Sequence, residues 1–208
     1  MRSANRVRQY AETLVERGDH VDFVGLRKQG QPAEEVVEGV HVFRIQPREY
    51  TEKGRLSYLS RLLRFLMKPM VFLSRKHLRN HYDLIHVHSI PDFEVFAAWL
   101  PKLTGAKVIL DIHDVVPELY ATKFKTLMGS LPFKSLLLME KLSAAFSDHV
   151  IIANDIWRAK LISRSVRKAK CTTILNCPIR LVRERRSDRG DNSKFIILYP
   201  GTSLITRE

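Results

Sequence analysis

Residues 83–124 read DLIHVHSIPDFEVFAAWLPKLTGAKVILDIHDVVPELYATKF, and this stretch decides the fold. Two apolar runs, at 83–89 and 106–112, flank a segment with helical spacing that starts near Pro91 and stops at Gly105. Continuous apolar runs of this length are typical of strands that are buried on both faces of a parallel sheet. The stretch therefore predicts a strand, a helix and a second, parallel strand.

The same alternation continues on both sides of this stretch. Upstream, the sequence predicts a helix from Val7 to Val15, strands at 20–26 and 40–45 separated by a loop, and a long basic helix with an apolar stripe over 56–73. Downstream, it predicts a helix over 130–146, a strand at 148–154, another helix, and a strand at 171–175. Strands that alternate with helices indicate a doubly wound α/β domain with a parallel sheet. Ligands of such sheets bind at the carboxyl ends of the strands.

Composition and motifs exclude several classes of protein. Hydrophobic residues make up 45% of the 208 residues and charged residues 27%, as in ordinary globular domains. The segment 56–73 carries charges and a proline and is a poor transmembrane helix, and the first residues lack the apolar core of a signal peptide. The glycine motifs of dehydrogenases and P-loop enzymes, the serine-hydrolase elbow and the zincin motif are absent from the sequence. We therefore expect a cytoplasmic protein outside these enzyme classes, with Cys171 and Cys177 reduced.

Basic residues are concentrated in parts of the chain. The 35 Lys and Arg exceed the 22 Asp and Glu by 13, and residues 53–82 hold eight cations and no acid. Such a run can be a solvated helix face, and it is also the composition of a helix that rests on anionic lipid. Because the run has few aromatics and no nucleic-acid motif, a membrane surface ranks above nucleic acid, which is not an expected partner. The predicted membrane-binding residues are Arg61, Arg64, Lys68, Arg75 and Lys76.

The second predicted strand of the 83–124 stretch ends in several titratable side chains: Asp111, His113, Asp114 and Glu118. His113 is either an acid/base group, or a buried histidine that loop carbonyls satisfy. Alternation along the strand places Asp111 and His113 on one face and Asp114 on the other, so the carboxylates need not act together.

Two further histidines share a face of the first predicted strand of this stretch. His86 and His88 are two residues apart, a geometry that can bind metal, but the local sequence offers no third ligand. Packing is the favoured role of His86, whereas site and packing roles are balanced for His88. We therefore expect no metal site.

Four strings resemble, in their order and spacing, the N-terminal domain of the family 4 retaining glycosyltransferases. They are RVRQYAETLVERGDHVDFVGLR, DLIHVHS, AKVILDIHDVVPELYATKF and SDHVIIAN, and the similarity covers residues 5–180. The resemblance implies a GT-B architecture of two Rossmann-like domains, with the acceptor on the first domain and a nucleotide-sugar donor mainly on the second. It also implies metal-independent transfer without a cofactor, and a basic helix that docks on the inner face of the membrane to reach lipid-linked acceptors.

The resemblance also implies roles for individual residues. His113 matches a catalytic histidine of the cleft, and Glu140 matches a helix acid that we expect to be structural. Gly201 and Thr202 match the donor domain's first glycine turn. The residues that we expect to contact the acceptor or the donor sugar are His88, Asp114, Glu118 and Asn154.

Two departures from the family pattern bear on activity. The family's first strand and glycine-rich loop have only residues 1–4 in their place, and the sequence ends at Glu208 soon after the donor domain begins. We expect a fragment with an acceptor-side domain at 1–177, a linker at 178–194 and a truncated donor domain at 195–208, inactive by itself. The expected function is hexosyl transfer from a nucleotide sugar to a cell-surface glycan or glycolipid precursor. The alternatives are a non-catalytic membrane- or partner-binding module and, less favoured, a nucleotide-sugar epimerase.

Overall fold

The computed structural model describes residues 5–47, 55–89, 91–124 and 129–175. All of these residues belong to one compact unit, which ends at Cys177. The predicted linker, the predicted start of a second domain, and the predicted donor-binding residues Gly201 and Thr202 lie outside the described residues.

A small mixed sheet forms the N-terminal part of the unit. The first helix, α1 (Asn5–Glu16), precedes three strands, β1 (Asp22–Arg27), β2 (Glu34–Val37) and β3 (Val40–Pro47). The strand order is β1-β3-β2, with β1 parallel and β2 antiparallel to β3. Apolar side chains of α1 and β3 pack together beneath the helix, with Ala11, Val40 and Val42 buried.

Strand β2 corrects the sequence prediction, which placed residues 34–37 in a loop. Glu38 and Gly39 both have positive φ angles, 51° and 77°, and connect β2 to β3 as a two-residue hairpin. This connection is favoured because turns with two positive φ angles match the twist of antiparallel strands. The strand is short, lies at the sheet edge and exposes Glu34 and Val36, so its sequence lacks the apolar run that identified the other strands.

The larger sheet is entirely parallel and confirms the predicted α/β fold. Its order is β4-β5-β6-β7, formed by β4 (Leu84–His88), β5 (Lys107–Ile112), β6 (His149–Ile152) and β7 (Cys171–Thr173). The intervening elements are the 3₁₀ segment Asp92–Ala98, α3 (Trp99–Leu103), α4 (Val116–Phe124), α5 (Leu131–Phe146), α6 (Asp155–Arg164) and the 3₁₀ turn Lys168–Lys170.

The main hydrophobic core lies on one face of this parallel sheet. Alternate residues of the two central strands point to that face and are fully buried. Each such side chain contributes about 1.5–3 kcal/mol by leaving water. The core residues that anchor the sheet are Val108, Leu110, Ile112, Val150 and Ile152.

The two sheets are connected through side chains and a shared helix. Within the described residues, no strand pairs with the outer edge of β1 or with the outer edge of β4. The Tyr82 hydroxyl, just before β4, donates a 2.6 Å hydrogen bond to Asp22 in β1. Helix α1 contacts both sheets, because Ala11 packs in the first sheet's core and the Tyr10 ring lies 5.0 Å from the His86 ring.

The long helix α2 (Arg55–Arg79) joins the two sheets and continues through Pro69. Its Phe72 ring packs 5.2 Å from Phe43, and His77 is fully buried. The His77 ring accepts a hydrogen bond from the Tyr82 N–H and bonds to Thr104, which fixes the C-terminal end of the helix. Among the described segments, no helix combines the length and the apolar character that a membrane crossing requires.

Candidate functional site

The predicted site lies where β4 and β5 end side by side. His88 of β4 is in register with Asp111 of β5, and the Ser89 N–H donates a 3.0 Å hydrogen bond to the Asp111 carbonyl. This is the carboxyl edge of the parallel sheet, the position at which ligands of doubly wound folds bind.

Three histidines and one aspartate converge at this edge, and we refer to them as the strand-end cluster: His86, His88, Asp111 and His113. His88 Nδ1 lies 3.2 Å from Asp111 Oδ2 and 3.2 Å from His113 Nε2. The Asp111 Oδ2 atom is also 3.7 Å from His86 Nε2 and 3.8 Å from His113 Nε2. The aspartate is therefore the centre of the cluster, with one carboxylate oxygen facing three imidazole rings.

Helix α1 covers the strand-end cluster. The Arg6 guanidinium lies 3.0 Å from Asp111 Oδ1, the oxygen that does not face the histidines. The Tyr10 ring lies over both histidines of β4, 5.0 Å from the His86 ring and 5.9 Å from the His88 ring. Arg6 and Tyr10 are four residues apart and therefore occupy one helix face, and Arg6 donates a 3.2 Å hydrogen bond to the Tyr10 hydroxyl.

Burial and charge set the protonation states within the cluster. Burial alone would raise the pKa of Asp111, but the imidazoles of His86 and His88 and the Arg6 guanidinium outweigh burial and hold this pKa below its usual range. Burial lowers the pKa of His88 and of His113. At neutral pH the cluster therefore contains an ionised aspartate and neutral imidazoles at these two positions. Neutral imidazole can accept a proton, donate a hydrogen bond or bind a metal.

Solvent reaches the cluster chiefly at His113. Its side chain is 28% exposed, against 18% for His86 and His88 and none for Asp111. The neighbouring Asp114 is exposed. The cluster thus presents one histidine to a ligand at the sheet edge, with the other members behind it.

Glu118, a predicted substrate-binding residue, takes part in a network of ion pairs. Its carboxylate accepts a 2.9 Å hydrogen bond from Arg164 and pairs with Lys160 at 2.7 Å. Arg164 also bonds to the buried Glu140, and this bond agrees with the structural role expected for Glu140. These cations lower the pKa of Glu118, although burial acts to raise it. The contacts explain the position of Glu118 without a ligand, and its contact with substrate stays a prediction.

Asn154 begins the helix that follows β6. Its side-chain oxygen accepts a 2.9 Å hydrogen bond from the Trp157 N–H, which makes it the N-cap of α6. A cap of this kind satisfies a backbone donor that the helix leaves unpaired. A contact between Asn154 and substrate is not tested by this geometry.

Two members of the site were not identified from the sequence as site residues. Arg6 and Tyr10 reach the cluster from a different part of the chain, and their only signal was the i, i+4 spacing on the helix face that carries Ala11. Asp111 was recognised near His113, but its position beside His86 and His88 depends on the pairing of β4 with β5.

The basic helix α2 presents a mixed cationic and apolar face. Arg64, Lys68 and Arg75 are exposed, whereas only the backbone of Arg61 is described. Lys76 differs from this group, because its ammonium lies 3.8 Å from Asp22 and 4.1 Å from the Phe43 ring centroid. Lys76 therefore faces Asp22 and Phe43, and its contact with a membrane stays a prediction.

Part of the apolar stripe predicted for α2 is also exposed. Leu63 and Met67 belong to the stripe and are 54% and 48% exposed. Val71 and Leu78 are also exposed and continue this apolar surface along the helix at helical spacing. We refer to the exposed residues Leu63, Arg64, Met67, Lys68, Val71, Arg75 and Leu78 as the α2 face.

The parallel α/β sheet with its cluster at the strand carboxyl ends defines a Rossmann-like domain. A family model described as a glycosyl transferase 4-like domain matches residues 3–177. The chain therefore belongs to this family of glycosyltransferase domains.

Solved structures have the same fold. A sucrose-phosphate synthase from Thermosynechococcus elongatus superposes with a TM-score of 0.60 at 21% identity, over 82% of this chain and 41% of that chain. A second structure of this synthase has a TM-score of 0.58 at 19% identity, over 84% of each chain. The present chain thus spans about two fifths of the first of these structures. Among curated proteins, none matches the sequence.

Proposed function

We propose that this chain is the acceptor-side domain of a retaining glycosyltransferase. The enzyme would move a hexosyl group from a nucleotide sugar to a cell-surface glycan or glycolipid precursor. The observation that carries the proposal is the strand-end cluster, which lies at the carboxyl ends of β4 and β5 within the family-matched segment. His113, the most exposed member of the cluster, is the proposed catalytic residue.

The chemistry of the cluster supports this role for His113. Its contacts with His88 and Asp111 use Nε2, and within the described residues its Nδ1 has no partner. A neutral imidazole held in this way can exchange a proton or hydrogen bond with a sugar hydroxyl. His88 and Asp111 would act as positioning residues that orient the ring.

The proposed transfer step needs neither a metal ion nor an organic cofactor, and the nucleotide sugar is a substrate. Contacts of His88, Asp114, Glu118 and Asn154 with substrate, and of Gly201 and Thr202 with the donor, remain predictions. Donor recognition would require groups that stabilise the negative charge growing on the diphosphate as the glycosidic bond breaks.

The test uses the longest natural protein that contains these residues, incubated with a panel of nucleotide sugars and membrane extract. We expect release of nucleoside diphosphate that depends on the acceptor and persists in EDTA. NMR of the early product should show retention of the anomeric configuration. Epimerised nucleotide sugar without transfer would replace the proposal by the epimerase alternative, and no turnover with any donor would favour the non-catalytic module.

We also propose that the α2 face binds the anionic inner surface of the cytoplasmic membrane, so that the protein is cytoplasmic and peripheral. The face combines three exposed cations with four exposed apolar side chains on one side of a helix. Helices that lie in the membrane interface use this combination, with apolar side chains among the acyl chains and cations at the phosphates. Docking there would bring the protein to the surface that carries a lipid-linked acceptor.

Vesicle co-sedimentation tests this membrane contact. Each cation near an anionic surface contributes on the order of 1 kcal/mol, so replacing Arg64, Lys68 and Arg75 by Glu should weaken binding by at least about 100-fold. A matched control replaces Lys107, Lys134 and Lys141, which are exposed on other elements, by Glu. We expect binding to anionic but not neutral vesicles, loss of binding only in the α2 variant, and release by salt. Equal losses in both variants would contradict a specific docking face.

A further inference from the structure

The strand-end cluster has the spacing of a metal site. The ligand atoms of His86, His88 and Asp111 all lie within 4.8 Å of one another. Asp111 Oδ2 is 3.2 Å from His88 Nδ1 and 3.7 Å from His86 Nε2. In a tetrahedral zinc site with bonds of about 2.0–2.1 Å, neighbouring ligand atoms are about 3.3 Å apart. The three side chains therefore need only small shifts to share one ion.

His113 supplies a fourth donor at the same place. Its Nε2 lies 3.2 Å from His88 Nδ1 and 3.8 Å from Asp111 Oδ2. Two strands and the following loop thus direct three imidazole nitrogens and one carboxylate oxygen towards each other. The third and fourth ligands come from the neighbouring strand and its loop, whereas the local sequence of β4 offers only two.

Several of these atoms are buried without a hydrogen-bond partner. They are His86 Nε2 and both carboxylate oxygens of Asp111, whose side chain is fully buried. Buried polar atoms in native structures are normally hydrogen-bonded, so unpartnered atoms that face one another require an explanation. Arg6 approaches Oδ1 as an ion pair, and Oδ2 remains directed at the histidines.

We propose that the strand-end cluster binds a zinc-type divalent cation through His86 Nε2, His88 Nδ1 and Asp111 Oδ2, with His113 Nε2 as the fourth ligand. Imidazole nitrogens with one carboxylate suit Zn²⁺, whereas Mg²⁺ and Ca²⁺ prefer oxygen ligands. The ion ties β4 to β5. The ion would share His113 with the proposed transfer site, but it would bind Nε2 and leave Nδ1 free for a sugar hydroxyl. Its occupancy is measured without donor or acceptor.

Calorimetric titration of the untagged chain with Zn²⁺, and visible absorption of the Co²⁺ form, test the proposal. We expect one ion per chain, the absorption of four-coordinate cobalt, and no uptake of Mg²⁺ or Ca²⁺. His86→Gln and Asp111→Asn should each lower zinc affinity by more than about 100-fold, because loss of an outer-shell partner alone costs about 10- to 100-fold. The control is His149→Gln, which changes a histidine bonded to Thr172 at the opposite end of β6. Equal zinc affinities of the wild type, the two ligand variants and the His149→Gln control would overturn the proposal.

A second measurement needs no variant, and it therefore keeps the proposal testable where a substitution prevents folding. Diethyl pyrocarbonate modifies accessible imidazoles, and mass spectrometry locates the modified residues. Zinc should protect His113 from modification, whereas the exposed His20 and His81 should react equally with and without zinc. Unchanged modification of His113 at saturating zinc would also overturn the proposal.

Discussion

Replacement of Arg164 by Met tests the network that holds three helices together. Arg164, at the end of α6, donates hydrogen bonds of 2.9 Å to Glu118 in α4 and 2.9 Å to Glu140 in α5. The Glu140 side chain is 1% exposed and the Arg164 side chain 17%. Methionine retains much of the arginine stem but removes the charge, so the buried Glu140 carboxylate loses its counter-ion.

The structure sets the size of the effect. Removing one partner of a buried ion pair costs about 3–5 kcal/mol, because the remaining charge stays buried without compensation. For a chain of this size, 1 kcal/mol corresponds to about 2–4 °C in Tm. We therefore expect Arg164→Met to lower Tm by about 6–20 °C.

Thermal unfolding followed by far-UV circular dichroism measures this loss. The matched control is Arg17→Met, which removes an exposed pair with Asp19, worth no more than about 1 kcal/mol. The double variant Arg164→Met with Glu140→Gln should recover part of the loss, because position 140 then carries no uncompensated buried charge. An Arg164→Met Tm no lower than that of Arg17→Met would refute the reasoning.

Three further predictions concern other described residues. Burial raises the pKa of Glu94 from 4.5 to about 8, so between these pH values the folded state retains a proton that the unfolded chain releases. Stability should therefore fall as pH rises from about 4.5 to 8. Glu94→Gln should flatten this decline in Tm, and equal Tm–pH profiles for the variant and the wild type would contradict the prediction. Asn154→Ala should cost about 1 kcal/mol in denaturant unfolding through loss of the helix cap, and Asn154→Ser should largely retain stability. Gly39→Ala should lower Tm more than Gly30→Ala. Both glycines have positive φ, so the backbone cost of a Cβ is shared. A Cβ at Gly39 would also lie 2.7 Å from the Val15 side chain, whereas a Cβ at Gly30 would have no heavy atom within 4 Å. Equal Tm losses would count against the packing of α1 on the hairpin.

The parallel sheet was predictable from the sequence because its strands are buried on both faces. The apolar runs at 83–89 and 106–112 coincide with β4 and β5 to within a residue or two. Strand β2 was not predictable in this way, since an edge strand of four residues with exposed Glu34 and Val36 has no continuous apolar pattern. Its one signal was Gly39 in the Glu38-Gly39 turn, and this signal is weak because Glu is not among the residues that favour a positive φ at the first turn position.

The site was predictable only where its residues are close in sequence. The position rule for parallel sheets selected His113, and Asp111 was grouped with it because the two residues are close in sequence at the end of one strand. The contact of Asp111 with His86 and His88 depends on strand order and register, and Arg6 depends on where α1 packs. In the same way, the charge run at 53–82 grouped Lys76 with the other cations, and only the fold shows that it lies close to Asp22 and Phe43.

The central claim is that the strand-end cluster presents His113 to the sugar-transfer reaction. The most direct measurement compares turnover of the longest natural protein with that of its His113→Ala variant, beside a His149→Ala control at the opposite edge of the sheet. General acid–base groups contribute about 10²- to 10⁴-fold, so His113→Ala should lower turnover by about 100-fold or more with Tm unchanged, whereas His149→Ala should retain activity. Unchanged turnover in His113→Ala would contradict the account.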